Sequence, residues 1–256
     1  MKIDLKHAKD EFLNYTKDYD LSNENIKRKQ DHSLRVMEIS ENIAKSLNLN
    51  EEEANLAMLI GLLHDIAKFE QYTQYQTFKD SISFDHGDFA LKILEKDIRK
   101  YIDTNEFDEI IKKAIKNHNK LYIEKGLSNK EELFAKIIRD ADKLDIYFES
   151  SELFWKGQEK EVEKSTISEE VFRAIKNNSL VIRTKEKDFT KLDLVITNIA
   201  FVFDINFNIS FKILFKEDYI NKIMNRYKIK DEDTKEIFEE IRKIANDYIE
   251  QQIKRI

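Results

Sequence analysis

Hydrophobic residues recur at helical spacing along almost the whole chain. Apolar side chains three and four residues apart form one face of each segment, as in amphipathic helices. The sequence therefore predicts a succession of helices with few other elements. In the first part of the chain these helices are expected over residues 4–19, 22–47, 50–69, 85–96, 106–122 and 130–155. In the remainder they are expected over 168–175, 192–203, 207–215, 217–228 and 231–256.

A few segments depart from this pattern. Residues 70–84 are polar and aromatic, and they predict a loop or broken helix that provides substrate contacts, a lid or a plain connection. The charged run 158–164 is the best candidate for a linker. Residues 180–184 are rich in β-branched side chains and predict a short strand, and 207–215 is also compatible with a strand.

The composition favours an all-α fold. The 256 residues include no proline and only 4 glycines, and chains with many tight turns need those residues. Hydrophobic residues make up 41% and charged residues 37%, which is typical of a folded chain with a heavily charged surface. The length allows one large domain, or one domain with an appendage.

Charge and residue usage argue against several classes of function. The formal net charge is -6, which disfavours the binding of duplex nucleic acid through a basic surface. Because no cysteine is present, a metal would be held by histidines and carboxylates, which suit Mn, Fe, Mg, Zn or Ni. The first residues lack an apolar signal region, and no apolar run approaches the roughly 20 residues that span a bilayer. We therefore expect a cytoplasmic protein that does not enter a membrane.

The stretch from Leu62 to Lys68 places polar side chains where water is scarce. It lies in a run that is apolar on nearly every side, as in a buried helix. Burying the charges of His64, Asp65 and Lys68 is costly unless they are paired or bound to a metal. The stretch therefore predicts half of a metal site with a cation beside it. The alternative is a histidine and an aspartate that hydrogen-bond each other inside a helical core.

Four of the five histidines share a core-facing position. Each lies on or beside the apolar stripe of a different expected helix. They are, in order, His32, His64, His86 and His118. A bundle that directs them to one centre accounts for all four, since helix bundles build metal sites from side chains on facing helices. With Asp65 and the similarly placed Asp142 there are six candidate ligands, which predicts two ions, or one ion beside phosphate-binding histidines.

Three short motifs follow one another in the first part of the chain. They read Asp-His-Ser-Leu-Arg-Val at 31–36, Leu-His-Asp-Ile-Ala-Lys at 63–68 and Arg-Asp-Ala-Asp-Lys-Leu-Asp at 139–145. In this order, on expected helices, they resemble the HD-domain superfamily of metal-dependent phosphohydrolases. The resemblance implies an HD-domain helical bundle in residues 1–157 and a mostly helical C-terminal region, 158–256, that packs on or completes the bundle.

The resemblance also implies which residues hold metal. Four positions match the family's ligands, namely His32, His64, Asp65 and Asp142. Asp142 is preferred to Asp140 because the family's ligand usually precedes a lysine or arginine in this motif, here Lys143. The extra histidines, His86 and His118, resemble those of family members with two ions.

Cyclic-dinucleotide phosphodiesterases of the HD-GYP type are among those two-ion members. The signature that follows their His-Asp motif is absent here, and His118 is followed by Asn119 rather than by a second histidine. The resemblance therefore implies a chemistry and leaves the substrate open.

That chemistry is the hydrolysis of a phosphoester by a metal-activated water. Asp65 would bridge two ions or orient the water. Lys68 and Lys143 would neutralise the phosphate. His118 or His86 would bind metal or phosphate, or would protonate the leaving oxygen if it is not a ligand.

The main hypothesis is a metal-dependent phosphohydrolase that acts on a nucleotide or another small phosphoester. The alternatives are a phosphodiesterase for a cyclic dinucleotide or an oligonucleotide, a di-iron oxygenase, and a non-catalytic bundle that a metal ion merely staples together. Residues 158–256 carry no catalytic constellation, and we expect them to complete the bundle, cover the site or form the surface of a homodimer.

Overall fold

The computed structural model describes residues 2–152, 159–182 and 189–255. Within these ranges the chain forms helices and loops without any strand, which confirms the all-α prediction. None of the described helices is long and apolar enough to cross a membrane. The helices before residue 153 are α1 (Leu5–Thr16), α2 (Glu24–Ser46), α3 (Glu51–Leu63), α4 (Ala67–Tyr75), α5 (His86–Asp97), α6 (Asp108–His118) and α7 (Asn129–Glu152). Those after residue 158 are α8 (Glu159–Val162), α9 (Glu169–Lys176), α10 (Lys191–Ile199), α11 (Asn208–Glu217), α12 (Tyr219–Met224) and α13 (Glu232–Lys254).

Contacts within the chain divide it into two compact units, Met1–Asp142 and Lys143–Ile256. The first unit holds α1 to α6 and the beginning of α7, and the second holds the remainder of α7 and the later helices. The domain boundary expected between residues 157 and 158 stays a prediction.

Polar capping residues fix the starts of helices in the first unit. Asn23 accepts a hydrogen bond from the first turn of α2, and Asp85 does the same for α5. At α3, Asn50 and Glu53 form a reciprocal capping box. Ser128 accepts a hydrogen bond from a backbone N–H in the first turn of α7. These caps satisfy N–H groups that lack a partner within the helix, and they confirm the predicted helix starts.

Helices α2 and α3 pack closely at Gly61. A Cβ added to this glycine would lie 3.0 Å from Met37 Cα and 3.0 Å from the carbonyl oxygen of Val36. Both atoms belong to the backbone of α2, the helix that carries His32. The expected close approach of that helix is therefore confirmed, and it brings the segment just before His64 against α2.

The helix expected over residues 50–69 is interrupted at its most polar point. Helix α3 ends at Leu63, a short turn follows, and α4 begins at Ala67. In the turn the N–H of Ile66 donates to the carbonyl of Leu63 at 3.1 Å, three residues back, which tightens the backbone. Hydrophobic spacing does not reveal this break because the residues on both sides of it are buried.

The segment 70–84, expected to be a loop or broken helix, is a broken helix. Helix α4 continues to Tyr75 because Gln71 extends its buried face, and Gln76, with a φ of 51°, ends it in the left-handed conformation. A loop and the one-turn 3-10 helix Asp80–Ile82 then lead to α5. The broken-helix alternative is therefore confirmed, with the break at Gln76.

Helix α13 is the common packing surface of the second unit, since α9, α11 and α12 all contact it. The hydroxyl of Tyr147 donates to the carbonyl oxygen of Ile199 at 2.9 Å. The guanidinium of Arg226 donates to the carbonyl oxygen of Ser150 at 2.8 Å. These bonds tie the later part of α7 to α10 and to the end of α12.

Some predictions for irregular segments of the second unit are wrong. Residues 159–162 of the expected linker form α8, in which Val162 is buried. Residues 180–182 of the expected strand are irregular, and 183–184 lie outside the described residues. Residues 207–215 fall almost wholly in α11, so the strand alternative for them is rejected. The last residues of the helix expected to reach 155 also lie outside the described ranges.

The loop between α6 and α7 is held by Glu124. Its carboxylate accepts hydrogen bonds from Lys113 Nζ and Lys116 Nζ, each at 2.8 Å. Its backbone N–H donates to Asn117 Oδ1, also at 2.8 Å. The hydrogen bonds from the two lysines lower the pKa of Glu124 to about 2. The loop therefore folds back on α6 just before the last residue of that helix, His118.

We predict that Gly61→Ala destabilises the protein. The new Cβ would press on backbone atoms of α2, and overpacking of this kind costs about 1–3 kcal/mol, against a gain of about 1 kcal/mol in helix propensity. Denaturant unfolding measures the difference. Gly126→Ala is the comparison. Its φ of +86° disfavours alanine, but no atom lies within 4 Å of the added Cβ, so any loss of stability there reports backbone strain without overpacking. Unchanged or increased stability of Gly61→Ala would contradict the close approach.

A second prediction concerns Glu124→Gln and pH. Because the pKa of Glu124 is lower in the folded protein than in the unfolded chain, its ionised form stabilises the fold above about pH 4.5. That contribution, about 0.2–1 kcal/mol for a partly exposed ion pair, should disappear as the pH falls toward 2. Chemical unfolding of both proteins at several pH values should show a stability difference at pH 7 that shrinks in acid. A difference independent of pH would refute this account.

Candidate metal centre

The four core-facing histidines come together in the first unit. His32 lies on α2, and His64 directly follows α3. His86 opens α5, and His118 ends α6. All four side chains are buried, and their Nε2 atoms surround the buried carboxylate of Asp65. Ligand-type atoms from separate elements of the first unit therefore meet at one carboxylate.

One oxygen of Asp65 faces the first pair of histidines. Asp65 Oδ2 lies 3.5 Å from His32 Nε2 and 3.7 Å from His64 Nε2. Asp142 Oδ1 lies 3.2 Å and 3.7 Å from the same two nitrogens. Ligand atoms that are each about 2.0–2.2 Å from one ion lie roughly 3–4 Å from one another. His32, His64 and Asp142 thus have the spacing of a shared metal site, with an oxygen of Asp65 beside the two histidines. His64 and Asp65 are too far apart for the hydrogen-bonded pair of the alternative interpretation.

The other oxygen of Asp65 faces the second pair. Asp65 Oδ1 lies 3.4 Å from His86 Nε2 and 3.6 Å from His118 Nε2. The two Nε2 atoms are 2.9 Å apart. Asp65 therefore presents one oxygen to each of two sets of ligand-type atoms, which is the arrangement of a bridging carboxylate.

Backbone carbonyls set the proton positions of two of the rings. His64 Nδ1 is 2.7 Å from the carbonyl oxygen of Gly61, and His118 Nδ1 is 2.6 Å from that of Ile115. A carbonyl oxygen can only accept, so each Nδ1 carries the proton and donates it. In the neutral rings, each Nε2 therefore carries no proton, and its lone pair is directed at Asp65 and its surroundings.

His86 is oriented in the same sense by a side chain. Its Nδ1 donates to Asp80 Oδ2 at 2.6 Å. The Nε2 lone pair of His86 then faces the Nε2 lone pair of His118 at 2.9 Å with no proton between them. Two facing lone pairs repel each other unless a cation lies at the site. The donor set therefore fits divalent metal ions, whose histidine ligands typically donate their other N–H to a carbonyl or carboxylate.

Burial keeps these rings in the form that binds metal. It lowers the pKa of His64, although Asp65 and Asp142 act in the opposite direction. Burial, together with the charge of Lys68, lowers the pKa of His86 to about 4 despite the hydrogen bond to Asp80. Both rings are therefore neutral at pH 7, and the neutral imidazole is the metal ligand.

The two aspartates remain ionised although they are enclosed. Burial alone would raise the pKa of Asp65, but the neighbouring charge of Lys29 holds it well below its usual range. Burial is likewise outweighed at Asp142, where a hydrogen bond with His32 holds the pKa well below its usual value. The site thus concentrates negative charge where a cation would compensate it.

Lys29 is a site residue that sequence reasoning missed. Its Nζ lies 2.8 Å from Asp65 Oδ2, and its side chain is only 14% exposed. The ammonium is also 5.5 Å from the centroid of the Phe78 ring. A signal was available in the sequence, because Lys29 precedes His32 by three residues and so shares its face of α2.

Asp80 is the second residue that sequence reasoning missed. It lies in the segment expected to be a loop, and nothing in the hydrophobic spacing connects it with His86. Lys68 Nζ donates to Asp80 Oδ1 at 3.2 Å and to the carbonyl oxygen of Phe78 at 3.0 Å. Lys68 is therefore a buried cation near the histidines, as expected, and its contact with phosphate stays a prediction.

A buried arginine holds the end of α6. The guanidinium of Arg139 donates to the carbonyl oxygens of Asn117 at 2.9 Å and Leu121 at 3.2 Å. These carbonyls lie where the regular hydrogen bonding of the helix ends, so the arginine satisfies groups that lack helical partners. Arg139 therefore fixes the backbone on both sides of His118.

Lys143 belongs to the second unit. Its Nζ forms an ion pair with Asp204 at 2.8 Å, and both side chains are largely buried. Its expected role in binding phosphate stays a prediction.

A protein-family model matches the part of the chain that contains this site. No curated protein and no solved structure matched the chain. Residues 30–147 match the family model described as HD domain. That span begins just before His32 and ends just after Asp142, so it contains every one of the converging histidines and aspartates. Residues 30–147 of the chain are thus an HD domain, the domain that the three sequence motifs resemble.

Proposed function

We propose that this protein is a metal-dependent phosphohydrolase that cleaves a phosphoester of a nucleotide or another small molecule. The observation that carries the proposal is the placement of Asp65 between two sets of ligand-type atoms. His32, His64 and Asp142 lie on one side of its carboxylate, and the remaining two core histidines lie on the other. This arrangement supports a two-ion hydrolytic site.

We assign some residues of the site to the ions and others to the substrate. His32, His64 and Asp142 would hold one ion, His86 and His118 the other, and Asp65 would be shared. Ions bound there would supply an activated water and would neutralise the phosphoryl oxygens. Because the Nδ1 atoms of His86 and His118 carry the ring protons, their geometry favours the ligand role over proton donation to the leaving group.

Lys29 is the residue we propose for direct contact with the phosphoryl group. Its ammonium already lies against an oxygen of Asp65 within a largely buried site. A lysine is a compact cation that suits phosphate oxygens. Lys29 is thus placed to bind the anionic substrate beside the metal ligands.

Aromatic side chains next to Lys29 favour a nucleotide among small phosphoesters. The Phe78 ring is half-buried and lies 4.8 Å from the ring of Tyr72, between centroids. Base–aromatic stacking contributes about 1–3 kcal/mol per base. The net charge of -6 supports a small substrate over duplex nucleic acid.

A di-iron oxygenase is the second candidate. The same two sets of imidazoles around one carboxylate would also suit two iron ions, for which imidazole and carboxylate are common ligands. An iron-loaded protein with the absorption of an oxygen-bridged di-iron centre, and without phosphatase activity, would select this candidate.

We predict that the purified protein hydrolyses a generic phosphomonoester or a nucleotide when Mn²⁺ is added. Asp65→Ala should lower the rate by more than about a hundredfold, since even outer partners of metal ligands affect activity 10- to 100-fold. Asp10→Ala, an equal change of charge on the exposed face of α1, is the control and should leave the rate unchanged. Tight metal binding without hydrolysis of any phosphoester tested would leave only the oxygenase or a structural staple.

Lys29→Ala should raise KM for the phosphoester with little loss of metal affinity. The expected increase is about 10- to 100-fold, because a hydrogen bond to a charged group contributes about 1.5–3 kcal/mol. Metal affinity should stay equal or rise, since no ammonium then competes for Asp65. Lys27→Ala on the same helix is the control, because Lys27 is paired with Asp31 at the surface. If the variant lost metal and kept its KM, Lys29 would have a structural role instead.

A further inference from the structure

Asp80 receives hydrogen bonds from several elements of the first unit. Its Oδ1 accepts from Lys68 Nζ at 3.2 Å and from Gln71 Nε2 at 2.8 Å, both on α4. Its Oδ2 accepts from His86 Nδ1 at 2.6 Å and from Asn119 Nδ2 at 3.2 Å. The backbone N–H of His86 adds a longer contact to Oδ2 at 3.5 Å. A carboxylate offers about four lone-pair positions, so these donors use the full capacity of the side chain.

The orientation of His86 differs in origin from that of the other rings. His64 and His118 donate their Nδ1 protons to carbonyl oxygens three residues earlier in their own chain segments. His86 stands at the first position of α5 and has no preceding helical turn to provide such a carbonyl. Its orienting acceptor is instead the side chain of Asp80, six residues earlier and outside the helix.

The segment that carries Asp80 is tied to the rest of the first unit by several contacts. Residues 76–85 contain one helical turn, and Ile82 within them is 63% exposed. Besides Asp80, the side chain of Gln71 holds the segment through Ser83 Oγ at 2.8 Å and the carbonyl oxygen of Phe84 at 3.0 Å. The contacts of Asp80 thus act together with the packing of Phe78 on Tyr72 and of Phe84 on Phe89.

We propose that Asp80 is a positioning residue that couples the order of residues 76–85 to occupancy of the second ion site, the one formed by His86, His118 and Asp65. This inference rests on the proposed function, since it requires two ions. Asp80 fixes the ring of His86 and leaves its Nε2 unprotonated. An ion bound at His86 in turn holds Asp80, and with it the segment, in place.

Metal titration tests the proposal without measuring activity. Calorimetry with MnCl₂ should show two ions bound to the wild-type protein. In Asp80→Ala, affinity for the second ion should fall by about 10- to 100-fold, the usual effect of removing the partner of a histidine ligand. The first ion, at His32, His64 and Asp142, should bind as before.

Two further variants separate positioning from general damage. Asp80→Asn keeps an acceptor for His86 and should restore part of the second-ion affinity. Asp88→Asn removes a neighbouring, mainly exposed carboxylate that pairs with Lys120 and does not contact His86, so it should bind both ions normally. Hydrogen exchange of residues 76–85 should slow when the second ion binds to the wild-type protein, and not in Asp80→Ala.

The outcomes separate this inference from the proposed function. If the wild-type protein bound no Mn²⁺, or only one ion, the two-ion site and this inference would both be overturned. If it bound two ions and Asp80→Ala bound them equally well, with the same slowing of exchange, the role of Asp80 alone would be overturned.

Discussion

Three imidazole lone pairs directed at one buried carboxylate are the constraint on which the site depends. The Nδ1 atoms of the rings of His64, His86 and His118 are committed to acceptors, which leaves each Nε2 bare. The unprotonated Nε2 atoms of His86 and His118 lie 2.9 Å apart, where they repel each other and the ionised Asp65. Cations complete the arrangement, because they satisfy lone pairs and carboxylate charge together.

The rest of the first unit places these atoms. The glycine contact between α2 and α3 brings the segment before His64 against the helix of His32. Arg139 fixes the chain around His118 by bonding to carbonyls at the end of α6. The ring of His86 is oriented instead by the side chain of Asp80, in the segment between α4 and α5. The two halves of the site therefore differ in what orients their histidines.

The sequence predicted what is periodic and local. Apolar stripes identified the helices, capping residues located several of their starts, and the core-facing histidines were recognised because each lay on such a stripe. The break between Leu63 and Ala67 was missed, since burial on both sides removes any change of period. Asp80 was missed because its partners are brought to it by tertiary packing. Lys29 was overlooked although its spacing from His32 was visible.

Anomalous diffraction from crystals grown with Mn²⁺ tests the central claim most directly. The account predicts two anomalous peaks that share Asp65, one ligated by His32, His64 and Asp142 and the other by the second histidine pair. A map from fully occupied crystals with no peak in contact with Asp65 would contradict it.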